Sequence, residues 1–171
     1  MSDTLSPMSS TFSLRAAEPE DYEFLTDMLL EAINWLPGRN FSRERILTDP
    51  EISHYIAGWR RHDDLGVIAV GQDGQPRGGA WLRYLTSDDP GYGYVSDDEP
   101  ELTIGVRPEW RGQGTGRALL RELIRTSHRQ GIKRISLSVE RANRAMQLYI
   151  DEGFAVVEQL QDTDTMVVET R

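Results

Sequence analysis

Gly112, Gly114 and Gly116 alternate between Arg111 and Arg117, in the stretch Val-Arg-Pro-Glu-Trp-Arg-Gly-Gln-Gly-Thr-Gly-Arg-Ala-Leu-Leu from Val106 to Leu120. An apolar strand pattern (Leu102, Ile104, Val106) runs into this stretch and a helical pattern leaves it. Glycines at such spacing accept φ values that side chains forbid and let the backbone approach a ligand closely. The first N–H groups of the helix that follows have no partner within it, and they carry the positive end of its dipole. The chemistry this predicts is anion binding, as for a pyrophosphate, with Arg111 and Arg117 adding charge at the two ends. Two nucleotide motifs do not fit. A Walker loop needs Gly-Lys-Ser/Thr, and the only lysine of the chain is Lys133. A dinucleotide fingerprint needs a small residue three places after its second glycine, where this chain has Arg117 or Leu119, depending on which glycine starts the count.

What does fit is Arg-x-x-Gly-x-Gly over Arg111 to Gly116, and a second stretch, Asn143-Arg-Ala-Met-Gln-Leu-Tyr149-Ile-Asp-Glu-Gly153-Phe154. Together they resemble the GNAT superfamily of acyl-CoA-dependent N-acetyltransferases. The second stretch departs from the usual Asn-x-x-Ala-x-x-Leu-Tyr in that Ala145, and with it Leu148 and Tyr149, comes one place early. The resemblance implies that the backbone of Arg111, Gly112, Gln113, Gly114, Thr115, Gly116 and Arg117 grips the coenzyme A pyrophosphate. It implies that main-chain groups around Thr103, Ile104, Gly105 and Val106 pair with the pantetheine arm, one amide polarising the thioester carbonyl. Asn143 would contact the cofactor, and its type also suits a helix N-cap.

Two catalytic roles follow from the same resemblance. Tyr149 lies about 9 Å along the helix axis from Asn143 at ~1.5 Å per residue, and would donate a proton to the departing thiolate. Glu101, opening the strand before the glycine turn, matches the glutamate that serves as general base in the histone-acetylating branch. A base is needed because a lysine-like amine, with a reference pKa of about 10.4, is mostly ammonium at neutral pH. Asp98, Glu99 or a bound water are the alternatives to Glu101 as base. The absence of cysteine removes disulfides and an acyl-cysteine intermediate, so transfer should be direct. His54, His62 and His128 are scattered, with no metal-ligand spacing, and no metal is expected.

These groups need elements to hold them. Residues 1–11, rich in Ser, Thr and Pro, read as a flexible tail, and residues 12–171 as a single domain. Phe12 to Ala16 suits a strand. Glu18-Pro19-Glu20-Asp21 starts a helix whose apolar stripe (Tyr22, Leu25, Met28, Leu29, Ala32, Ile33) runs to about Asn34. Weaker helical patterns cover Ser42 to Leu47 and Pro50 to Arg60. Leu65 to Val70 and Gly78 to Thr86 form a hairpin, Ser87 to Pro100 a loop, and Glu101 to Val106 the strand before the turn. After the helix ending near Gly131 come strand Ile132 to Val139, helix Asn143 to Glu152, and strands Phe154 to Leu160 and Thr165 to Glu169. This is an α/β order, a mixed sheet with helices on both faces, and it is similar to the GNAT fold over residues 12–170.

The net charge of −9 is uneven. Residues 107–134 carry a local +6, which suits a polyanionic cofactor, while Arg121, Arg125 and Arg129 recur every fourth residue as the solvated stripe of a helix. The rest of the chain is acidic, which argues against nucleic acid as a partner. Asp88, Asp89, Asp97, Asp98, Glu99 and Glu101, with Trp35, Tyr92 and Tyr94, suggest a cationic amine as acceptor, or simply a solvated loop. No segment reads as a membrane span or secretory signal, so a cytoplasmic location is expected. A homodimer is left open. The expected activity is acetyl transfer from acetyl-CoA to a primary amine. The alternatives are a non-catalytic acyl-CoA sensor and a nucleotide-binding regulator.

Overall fold

A computed structural model describes residues 11–171. All but the last position of the expected tail lies outside the described residues. Seven strands form one sheet in the order β1-β2-β3-β4-β5-β7-β6. They are β1 (Phe12–Ala16), β2 (Leu65–Gly71), β3 (Pro76–Arg83), β4 (Glu101–Val106), β5 (Arg134–Glu140), β6 (Ala155–Gln159) and β7 (Thr163–Glu169). The helices are α1 (Tyr22–Ile33), α2 (Arg43–Thr48), α3 (Pro50–Ser53), α4 (Thr115–Arg129) and α5 (Ala145–Asp151). All neighbours are antiparallel except β4 and β5.

The period-two patterns decide which face each strand gives to which helices. Leu102, Ile135, Leu137, Val139, Met166 and Val168 pack with Leu119, Leu120 and Leu123 of α4 and Tyr149 of α5. Ile68, Trp81 and Leu85 pack on the other face with Leu25, Met28 and Leu29 of α1, Ile46 of α2, and Ile52, Tyr55 and Ile56. α1 sits close because β3 and β4 are flat beneath it. A Cβ on Gly105 would lie 2.4 Å from the Met28 carbonyl oxygen, and one on Gly79 2.7 Å from Leu25. Gly105 is therefore explained by helix packing.

The second helical expectation was too long. Only Pro50–Ser53 is helical, and the chain to Arg60 proceeds by turns. The cause is tertiary: β3 takes the main-chain carbonyls of this segment. Trp81 donates to the Tyr55 carbonyl at 2.8 Å, and the Arg83 guanidinium donates to the carbonyls of His54 and Ala57. Arg83 is fixed by a buried ion pair to Asp64 at 2.8 Å, with side chains 1% and 0% exposed. Breaking such a pair from one side would leave a buried charge uncompensated, costing about 3–5 kcal/mol.

Candidate active site

β4 and β5 run parallel but are paired only at Glu101 and Ser136. Beyond that point they separate, and a slot opens through the middle of the sheet. The Arg107 amide bonds to the Arg77 carbonyl at 2.8 Å, so by ladder alternation Gly105 and Thr103 turn their main-chain groups into β3. Ile104 and Val106 turn theirs toward the slot. Gly105, expected among the cofactor contacts, has its backbone facing the other way. The Val106 carbonyl accepts from Arg111 Nε at 3.2 Å.

The slot leads to the glycine turn. Gly112 and Gly114 have φ of 74° and 83°, and a Cβ on either would meet no atom within 4 Å. Their glycines thus serve backbone conformation. Gly116 lies within α4. Among the described residues, the amides of Gly112, Gln113, Gly114, Thr115, Gly116 and Arg117 donate to no protein acceptor, and the first bond of the helix is Ala118 to the Gly114 carbonyl at 3.0 Å. No acidic residue stands in the first turn of α4. A fifteen-residue helix with no side-chain cap and no acidic residue in its own first turn is suited to an anion.

The arginines beside the turn are differently placed from what the sequence suggests. Arg111 pairs with Glu31 at 2.9 Å, and Arg117 with Glu152 at 2.7 Å. Arg121 also pairs with Glu152, and Arg125 and Arg129 with Glu122. The backbone, more than free guanidinium charge, makes this end of the site electropositive. The Asn143 carboxamide oxygen accepts from the Ala145 amide at 3.0 Å, a turn that leads into α5, which begins two residues later than expected with Arg144 at its N-cap.

Tyr149 packs with Leu102 on the α4 face of the sheet, and Glu101, the neighbour of Leu102 in β4, turns to the opposite face. Tyr149 is 7% exposed and packs against Phe154, with ring centroids 5.7 Å apart. Burial lifts its phenol well above the usual value, so at neutral pH it stays protonated. Glu101 is 3% exposed. Burial raises its carboxyl from 4.5 to about 7, against the stabilising effect of hydrogen bonds from Tyr55 and the Gly93 amide. The Gly93 bond to Oε1 is 2.7 Å. Such a carboxyl is poised near neutrality, as a general base should be, but it does not face solvent.

The loop over Glu101 is close-fitting. A Cβ on Gly91 would lie 2.6 Å from Glu101 Oε1, and one on Gly93 2.4 Å from the Leu137 carbonyl carbon of β5. Residues 91–93 thereby wall the Glu101 side of the slot. Sequence reading did not find Tyr55, Gly91 or Gly93 as parts of the site; the alternation Gly91-Tyr92-Gly93-Tyr94 was the available signal. The loop acids are mostly engaged. Asp97 takes the Ser87 amide and the Tyr94 hydroxyl, and Asp89 pairs with His54 at 2.9 Å. Glu99 bonds Arg134. Trp35 donates to Glu140, which is also held by both guanidinium nitrogens of Arg39. A concavity of about 700 Å³ lies elsewhere, between Ile124, Ala155, Val157, Val167 and Arg171.

The model of the acetyltransferase (GNAT) family matches residues 28–154, which include the turn, the slot and α5. The chain belongs to the GNAT family of acetyltransferases. It is 34% identical over 131 residues to the mycothiol acetyltransferase of Nocardiopsis dassonvillei, an alignment covering 74% of this chain and 37% of that protein. The chain thus spans little more than a third of that relative. Among solved structures, an acetyltransferase-like protein of Salmonella typhimurium with its cofactor acetyl-CoA is 20% identical, with a TM-score of 0.66 over 94% of this chain and 95% of that one. Mutant forms of the spermidine/spermine N-acetyltransferase of Vibrio cholerae are 19% identical, with a TM-score of 0.63 over 95% of each chain. These two likenesses concern the fold. GNAT enzymes are acyltransferases that use acetyl-CoA as co-substrate.

Proposed function

We propose that this protein transfers an acetyl group from acetyl-CoA directly to a primary amine of a small molecule or peptide, with both substrates bound together. The observation that carries the reading is the parting of β4 and β5 beyond Glu101 and Ser136, with Glu101 on one face of the sheet and Tyr149 packed on the other. The amides of residues 112–117 would hold the pyrophosphate, the main-chain groups of Ile104 and Val106 the pantetheine arm, and Asn143 would add a contact through its carboxamide nitrogen. Acetyl-CoA supplies the activated acyl group. Glu101 takes a proton from the acceptor ammonium through an intervening group, since its own surface is buried. Tyr149, protonated throughout the neutral range, gives a proton to the leaving thiolate.

A cationic acceptor is favoured by the acidic charge outside residues 107–134, although several loop acids already have partners. The chain would act as one domain, in the cytoplasm; no helix of the described residues is long and apolar enough to cross a membrane. The burial of Glu101 gives a non-catalytic acyl-CoA sensor one point in its favour. Thiol release from acetyl-CoA across a panel of primary amines, with products weighed by mass spectrometry, separates the two. Acetylated amine is expected; tight acetyl-CoA binding with no release on any amine would establish the sensor.

A further inference from the structure

Glu101 is enclosed by four elements. Beneath it, its strand neighbours are Arg83 on β3 and Ser136 on β5. Above it lie the backbone of residues 91–93 and the Tyr55 side chain, which follows α3. The Arg83 guanidinium is consumed by Asp64 and by the carbonyls of His54 and Ala57. Ser136 is fully buried, and its hydroxyl has no partner among the described residues. His54 turns to Asp89 on the exposed loop. Among the described residues that enclose the carboxylate, Tyr55 is therefore the titratable side chain whose polar group is not tied to a third side chain.

Its position is over-determined. Trp81 and Arg83 hold the main chain on both sides of it, its ring stacks on Tyr92 with centroids 6.4 Å apart, and its hydroxyl accepts the Tyr92 amide at 2.7 Å. The Gly93 amide, next in the chain, donates to Glu101 Oε1 at 2.7 Å, so the same turn of backbone brings the hydroxyl beside the carboxylate with its hydrogen free to be given. We propose that Tyr55 is a positioning residue for the base: clamped by Trp81 and the Arg83–Asp64 pair, its hydroxyl donates to the Glu101 carboxylate and sets both its orientation and the pH at which it accepts a proton.

This rests on the reading of Glu101 as the base. A hydrogen bond to the charged form favours that form, so Tyr55→Phe, which keeps the stacked ring, should make Glu101 harder to ionise. The test follows the Glu101 side-chain carboxyl carbon by NMR in the free, ¹³C-glutamate-labelled protein, assigned by its loss in Glu101→Gln. In Tyr55→Phe the midpoint should rise by about one pH unit, and the acidic limb of kcat/KM should move up with it. Replacing Tyr55 with 3-fluorotyrosine, a stronger donor of nearly the same size, should move both down, and this holds the test open if the Phe variant folds poorly. An unmoved midpoint, or a rate loss equal at every pH, would overturn the proposal. Full activity in Glu101→Gln would instead remove Glu101 as base, while the NMR midpoints would still decide whether Tyr55 controls its ionisation.

Discussion

The glycine turn and the Glu101 pocket meet opposite electrostatic problems. The turn leaves donors unsatisfied at the surface, where water can solvate them until an anion replaces it. The pocket takes a carboxylate out of water and returns only part of the lost solvation, through the Gly93 amide and the Tyr55 hydroxyl. The first is built from backbone and tolerates most side chains except at the glycines with positive φ. The second is built from side chains distant in sequence and depends on each of them. Binding and chemistry are thus entrusted to two kinds of construction on one sheet.

The largest effect should come from breaking the backbone construction. In Gly114→Glu a side chain meets a φ of 83° and brings negative charge to the helix start; coenzyme A affinity measured by calorimetry should fall by more than about 100-fold, since the strain and repulsion act together. Normal affinity would take the pyrophosphate away from this turn. Breaking the pocket should leave that affinity alone: Glu101→Gln should lower kcat/KM by about 10²–10⁴-fold with coenzyme binding unchanged. Tyr149→Phe should lower kcat by about 10²-fold, again at near-normal affinity, and full activity would remove it from the mechanism.

The comparison can also be sharpened through stability. A carboxyl raised from 4.5 to about 7 holds its proton more tightly folded than unfolded, so between those two values the native state binds more protons. Its contribution to stability is therefore present at low pH and lost as pH rises through about 7. The thermal midpoint of the wild type should fall relative to that of Glu101→Gln between pH 5 and pH 8; a constant difference would mean the carboxyl is not held in this way. At the small end, Arg125→Ala removes a surface pair with an arginine 64% exposed, and should change stability by less than about 0.5 kcal/mol and activity not at all.

Much of the fold was readable in the chain because it rests on local rules. β1 and β4 have the bounds their alternation predicts, and the other elements differ mostly at their ends, where capping and pairing compete. The failure at Pro50 to Arg60 is instructive. Its residues suit a helix, but Trp81 and Arg83, both remote in sequence, capture its carbonyls, and the helix stops at Ser53. The same contacts bring Tyr55 to Glu101, which no local pattern could announce.

By itself the sequence determined the anion-binding turn, the order of strands and helices, and the family, because glycine spacing, periodicity and capping residues act over a few positions. Only the tertiary structure decided that β4 and β5 part after one pairing, that Gly105 yields to α1 while Gly112 and Gly114 serve the turn, and that Glu101 lies walled in beside Tyr55. Those outcomes depend on which distant backbones and side chains compete for the same space and the same hydrogen bonds, and that competition is settled only when the whole sheet is assembled.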